Sequence, residues 1–170
     1  MKQKELTELS LDELWQLFPI ILTAHQDCWA EWYKEEAELL KEQLSYAKRI
    51  SHIGSTAIKG IWAKPTIDIL VEISREEKII DLKNAVEKCS YICMAENNSR
   101  IDFNKGYTLR GFAERVFHLH LYYEGDNDEL YFRDYLQANA TVAKEYERLK
   151  LDLWKQHEHD RNMYTLLKGD

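Results

Sequence analysis

Apolar and polar residues alternate most cleanly between Ile67 and Ile73. Ile67, Ile69, Val71 and Ile73 fall on one side of a predicted strand, and Asp68, Leu70 and Glu72 on the other. Arg49 to Ile53 predicts a strand that runs into Gly54-Ser55-Thr56. Tyr91 to Ala95 and Ile101 to Lys105, the latter ended by Gly106, predict two more. Val116 to Tyr123 is rich in β-branched and aromatic residues and predicts a strong strand. Ile20 to Thr23, next to Pro19, is a short strand candidate. Helical spacing fills the gaps. Ser10 with Glu13 forms a capping box before Leu11, Leu14 and Trp15. Asp27 is a cap for a long helix to about Leu44, with Trp29, Trp32, Tyr33, Leu39, Leu40 and Leu44 near one stripe. Ser74 is a cap for a helix from Arg75 to about Lys88. After a turn at 124–128 the chain reads as helical: Glu129 to Ala138, Thr141 to Trp154, and a last segment to Leu167. Strands interleaved with helices predict an α/β or α+β fold, a mixed β-sheet flanked by helices with a helical C-terminal region. There is no linker, repeat or low-complexity tract, and 170 residues predict one domain spanning 1–170.

Composition narrows the function. Hydrophobic residues make up 45% of the chain, too many for disorder. The formal net charge of -7 argues against non-specific DNA or RNA binding. Met1 to Glu5 is followed by no apolar stretch, so no signal peptide is expected, and no apolar run is long enough to cross a membrane. Cys28, Cys89 and Cys93 read as reduced thiols, and together these features predict a cytoplasmic protein. The charge is uneven, however. Gln43 to Ile67 holds Lys48, Arg49, Lys59 and Lys64 and no acidic residue, and Arg100, Lys105, Arg110 and Arg115 form a second basic stretch. These are either solvated surface charges or the rim of an anion site.

Three constellations could carry chemistry. In His52-Ile53-Gly54-Ser55-Thr56-Ala57 a strand ends in a glycine and two hydroxyls, so the bend is either a capped turn or a phosphate cradle of backbone N–H groups. Asp68 lies inside an apolar strand, where an unpaired charge is costly. It is either a structural acceptor of backbone N–H bonds or a ligand for a cation or metal. His118 and His120 share one strand face, with Phe117, Leu119 and Leu121 on the other. The imidazoles could ligate one metal, act as acid or base, or be hydrogen-bonded on a half-buried face. His157-Glu158-His159-Asp160 points four ways around a helix and reads as solvated surface.

These pieces, in this order, resemble the GrpB family of bacterial proteins. The resemblance is carried by His52 to Ile73 (HIGSTAIKGIWAKPTIDILVEI), Phe103 to Gly106, Phe117 to Tyr122, Phe132 to Lys150, and the ending Arg161, Tyr164, Lys168. It covers nearly all the chain after about residue 18. The family in turn resembles the polymerase-beta-type nucleotidyltransferases, which implies a nucleotidyltransferase-like fold. The resemblance implies that Gly54 and Ser55 fall on the Gly-Ser turn that holds the triphosphate, and that Asp68 falls on the first metal-binding aspartate. Two divalent metals would then stabilise the attacking and leaving oxygens. The sequence departs from that pattern at Leu70, where the second carboxylate should stand. Glu72 is one pleat further along. By the same resemblance, His118 or His120 would take the place of the third carboxylate. Where the family usually reads Val-Pro-Gly this chain has Ile58-Lys59-Gly60, so Lys59 could add a phosphate contact.

Two functions follow. The first is a metal-dependent nucleotidyltransferase acting on a nucleotide and a small-molecule or protein acceptor. Asp68, His118 and His120 would be its catalytic and metal-binding residues, for Mg²⁺ or Mn²⁺ or a Zn²⁺-like metal. Gly54, Ser55, Thr56, Lys64, Lys105 and Arg110 would bind phosphates, and Arg133, Tyr146 and Lys150 would line the acceptor side. The alternative is a non-catalytic domain of the same fold that binds a nucleotide or phosphorylated metabolite, which the missing carboxylate favours. A scaffold that uses the acidic long helix and its tryptophans stands behind both.

Overall fold

The computed structural model describes residues 5–169; the reading of Met1 to Lys4 lies outside them. Five strands form one sheet: β1 (Ala47–Ile53), β2 (Thr66–Ile73), β3 (Ile92–Glu96), β4 (Arg100–Thr108) and β5 (Gly111–Tyr123), in the order β1-β2-β5-β4-β3. Only β2 and β5 run parallel; the other neighbours are antiparallel, so the sheet is mixed. Among the described residues six α-helices flank it: α1 (Leu11–Leu17), α2 (Cys28–Gln43), α3 (Ile79–Glu87), α4 (Asp128–Ala138), α5 (Ala140–His157) and α6 (Arg161–Lys168). No helix among the described residues is long and apolar enough to cross a membrane.

The alternation in β2 does what its period predicts. Ile67, Ile69, Val71 and Ile73 join Trp29 and Leu40 of α2, Val86 of α3, Phe103 of β4 and Leu119 and Leu121 of β5 in one buried apolar core. The other face of β2 carries Asp68, Leu70 and Glu72. Leu70 is fully buried beneath α4, against Ile53, Tyr122 and Leu130. Burying such a side chain stabilises the fold by about 1.5–3 kcal/mol. The capping box at Ser10 and Glu13 forms as expected, while Asp27 sits at the start of α2 without a side-chain cap.

Three local expectations are corrected. Ile20 to Thr23 is not a sheet strand: it makes a single bridge, Thr23 to Ala63, and Ile20 N–H donates to Glu158 O. Ile20 and Leu22 instead pin α5 and α6 through Leu153 and Tyr164. Ser74 does not start a helix. Its hydroxyl accepts from Glu76 N–H in a turn, and α3 begins only at Ile79, because Arg75 to Lys78 offer no apolar side chain to hold against the sheet. Gly106 does not end β4. It sits at φ +93° in a register shift between Lys105 and Tyr107, where a Cβ would overlap Arg115 O, and the strand continues to Thr108.

Candidate functional site

Register assembles the site. Parallel pairing sets Asp68 opposite His118, and antiparallel pairing sets Asp102 opposite His120 and Asn104 opposite His118. Residues on three adjacent strands therefore share one face. His118 Nδ1 lies 3.3 Å from Asp68 Oδ1 and His120 Nε2 lies 3.8 Å from the same oxygen. The far nitrogens are also held. Tyr107 Oη is 2.8 Å from His118 Nε2, and His120 Nδ1 is 2.7 Å from Asp102 Oδ1.

A chain of polar contacts runs through the site. Arg161 Nη1 donates to Tyr107 Oη at 3.2 Å. Tyr107 Oη in turn pairs with His118 Nε2, and His118 Nδ1 faces Asp68. Burial opposes charge on His120, but hydrogen bonds to Asp102 and Asp68 outweigh it and push its pKa up to about 9. His120 is thus an imidazolium between two carboxylates. Burial likewise opposes charge on Asp68. The two imidazole donors reverse this and hold its carboxyl well below the usual carboxylate range.

Gly54 is the close neighbour. It has φ +72°, and a Cβ there would overlap Asp68 Oδ2. Ser55 to Ala57 form a single 3₁₀ turn, closed by Ala57 N–H to Gly54 O and Ile58 N–H to Ser55 O. The N–H groups of Ser55 and Thr56 precede these bonds and are the donors such a turn leaves over. The hydroxyl of Thr56 is committed elsewhere. It donates to Thr66 O at 3.0 Å and takes the proton of His52 Nε2 at 3.0 Å. Burial pushes His52 down to about 4, so it is neutral.

A cavity of about 410 Å³ opens over this face. It is lined by Gly54, Ser55, Asp68, His118 and His120 from the sheet side and by Lys64, Phe132, Tyr146, Lys150, Arg161 and Lys168 from the loop and helix side. Burial, with the charges of Lys168 and Arg161 nearby, lowers Lys64 to about 7. Burial lowers Lys150 to about 7 as well; its ammonium donates to Trp62 O at 2.6 Å. Of the expected phosphate contacts, Lys105 and Arg110 are not brought here. Lys105 points to the opposite face, where it pairs with Glu36 at 2.8 Å, because neighbouring residues of a strand face opposite ways. Arg110 is exposed in the turn between β4 and β5. Lys59 lies beside a separate groove with Gln137 and Lys144, and Arg133 donates to His52 O.

The residues present depart from the two-metal pattern. Leu70 is buried where a second carboxylate would stand, and Glu72 is bonded to Arg49 and Asn127. Among the described residues no group of three His, Cys, Asp or Glu side chains is arranged to hold a metal ion. The sequence gives Asp102 no site role, and it marks Arg161, Tyr164 and Lys168 only as carriers of the family resemblance. Asp102 alternates with Ile101 and Phe103 as His120 does with Leu119 and Leu121, and Arg161, Tyr164 and Lys168 follow helical i, i+3, i+7 spacing.

The sheet, the Gly-Ser bend and the flanking helices define a protein of the nucleotidyltransferase fold. The Cid1 poly(U) polymerase superposes on 92% of this chain and 52% of its own with a TM-score of 0.57 at 8% identity. The GLD-2/RNP-8 complex superposes on 85% of this chain and 50% of its own at 0.56 and 10%. Within that fold the chain belongs to the GrpB protein family, whose profile matches residues 19–170. It is 35% identical over 153 residues to the glutamate-rich protein GrpB of Alkalihalophilus pseudofirmus, covering 86% of this chain and 87% of that one. It is 34% identical to UPF0157 protein YqkA of Bacillus subtilis across 95% of this chain, which spans only 48% of that longer relative. The crystal structure of GrpB from Enterococcus faecalis matches with a TM-score of 0.74 at 32% identity, covering 88% and 93% of the two chains.

Proposed function

We propose that the cavity binds a nucleotide or another phosphorylated small molecule, as a binding domain on a nucleotidyltransferase fold. The observation that carries this reading is the charge of the lining. Lys64, Lys150, Arg161 and Lys168 converge on one cavity, while Asp68 already faces two imidazoles. Cations held this close repel one another, and Lys64 and Lys150 lose charge as a result of burial and that repulsion. A phosphate removes the conflict and recovers their charge. The first-turn N–H groups of Ser55 and Thr56 add donors for the same anion. The choice of a nucleotide is supported by Cid1, which shares the fold and is described with MgGTP and with a UTP analogue.

Thermal unfolding with ATP, UTP, a coenzyme A-like compound and inorganic phosphate tests the reading. A ligand present at a hundred times its Kd stabilises the folded chain by about 2.7 kcal/mol. A phosphorylated compound should raise Tm in the wild type and do so far less in Lys64→Met. No shift with any of them, or equal shifts in the variant, would sink the proposal.

A second reading is metal-dependent nucleotidyl transfer. It is favoured by one observation, that Asp68 and both imidazoles face the cavity beside the Gly-Ser bend. It predicts pyrophosphate release from ATP only with Mg²⁺, Mn²⁺ or Zn²⁺, lost in Asp68→Ala. Absence of release with every metal leaves the binding domain alone.

A further inference from the structure

We propose that α6, together with Lys64, forms an oxyanion seat within this cavity, built for the terminal phosphoryl group of a polyphosphorylated ligand. The inference rests on the binding reading above and assigns it a ligand class: a di- or triphosphate, with another of its phosphates on the Gly54-Ser55 turn.

The seat is made by one helix face. Arg161, Tyr164, Thr165 and Lys168 all line the cavity, and Lys64 faces them from the loop before β2. Lys64 Nζ stands 5.6 Å from the centre of the Tyr164 ring and Lys168 Nζ 5.8 Å from it. Two ammonium groups therefore flank one phenol. The decisive feature is unsatisfied donors. Tyr164 is wholly buried, yet its hydroxyl has no hydrogen-bond partner, and Arg161 Nε is buried and equally without one. Buried polar groups are rarely left so, and each such group costs stability unless something meets it. Here two of them lie beside two cations in the wall of the same cavity. A phosphoryl group supplies what all four want: acceptor oxygens for the phenol and the guanidinium, and negative charge for the lysines.

Two of the acids nearby are already engaged. Asp68 is taken by His118 and His120. Asp160, at the start of α6, accepts from Met163 N–H as the helix cap. Glu129 also lines the cavity, on α4 near Tyr122 and Arg100, with its Oε2 buried and without a hydrogen-bond partner. The Nη1 arm of Arg161 is on Tyr107 and so ties the seat to His118. An anion there would also brace the Tyr107–His118–Asp68 chain.

Titration calorimetry on the full chain tests this, with inorganic phosphate, pyrophosphate and tripolyphosphate as probes. The wild type should prefer tripolyphosphate to phosphate by about tenfold or more. Tyr164→Phe removes only the partnerless hydroxyl, so the free protein should melt at the wild-type temperature or above it. Its affinity for tripolyphosphate should nonetheless fall about tenfold, and that of Lys168→Met similarly. Wild-type tripolyphosphate affinity in Tyr164→Phe would overturn the seat, whether or not Lys168→Met folds. If Ser55→Ala and Lys64→Met still weaken binding in that case, the cavity reading survives without the seat. If the wild type binds none of the three probes and no nucleotide, both fall together.

Discussion

The two faces of the central strands use the same backbone for opposite ends. On one face Ile67, Ile69, Phe103 and Leu119 meet α2 and α3 in a buried apolar core. On the other, Asp68, Asp102, His118 and His120 stand one residue out of phase with them. The first face is held by apolar area, which is nearly independent of pH and tolerant of alternatives of similar volume. The second is held by a few directed contacts: an imidazolium between two carboxylates, and a relay from Arg161 through Tyr107 to His118. Those contacts respond to protons, to charge and to ligands. The contrast shows how a sheet can devote one surface to apolar packing and keep the other polar.

Leu70 breaks the division, and substituting it has the largest expected effect. It lies on the polar face but is buried beneath α4 as fully as any core residue. Leu70→Asp would supply the carboxylate that two-metal transferases use, but would place it among Ile53, Tyr122 and Leu130. A buried charge without a partner costs several kcal/mol. Urea unfolding should show a loss of about 3–5 kcal/mol, with no gain of metal-dependent pyrophosphate release. A stable Leu70→Asp protein that binds Mg²⁺ would mean that the polar face is a metal site one residue short.

A smaller effect separates the faces by pH. The pKa of His120 is raised in the fold, from 6.5 to about 9. A raised folded value contributes stability that is complete below the unfolded pKa and is lost as pH rises through the folded one. His120 should therefore contribute a decline of at most about 3 kcal/mol between about pH 6.5 and 9. Lys64 and Lys150, lowered to about 7, act the other way and add stability as pH rises above 7. In His120→Gln stability should therefore rise more steeply with pH than in the wild type, while the core substitution Leu119→Ala should lower the whole curve without changing its shape. Denaturant titrations across this range check it. An identical slope in His120→Gln would show that the imidazolium is not the titrating group.

How far the sequence revealed this arrangement follows from the range of the forces involved. Alternation is local, so the faces of β2 and β5 could be read directly from Ile67 to Ile73 and Val116 to Tyr123. The pairing of β2 with β5 is not local, and only that register makes Asp68 and His118 neighbours. Asp102 was readable as a face but not as the partner of His120. Lys105 was misassigned because its charge was weighed and its parity was not: it sits one residue after Asn104 and so faces Glu36. The C-terminal stripe of Arg161, Tyr164 and Lys168 was visible as a pattern, but where α6 docks depends on Ile20 and Leu22, far away in the chain.

The smallest effect falls on Thr56, which divides structure from binding within the bend itself. Its place beside Gly54 and Ser55 suggests a phosphate contact. Its hydroxyl instead bridges His52 and Thr66 O, and the side chain is buried. Thr56→Val keeps the shape and removes the bridge, which leaves the Thr66 carbonyl and His52 N–H unmet. The expected cost is about 1–2 kcal/mol in urea unfolding. Affinity for a nucleotide or tripolyphosphate should change less than twofold, because the backbone N–H of residue 56 remains in place. Ser55→Ala should behave the other way, with little loss of stability and weaker binding. If Thr56→Val loses affinity tenfold while keeping its stability, the hydroxyl turns toward the ligand, and the bend belongs wholly to the binding face.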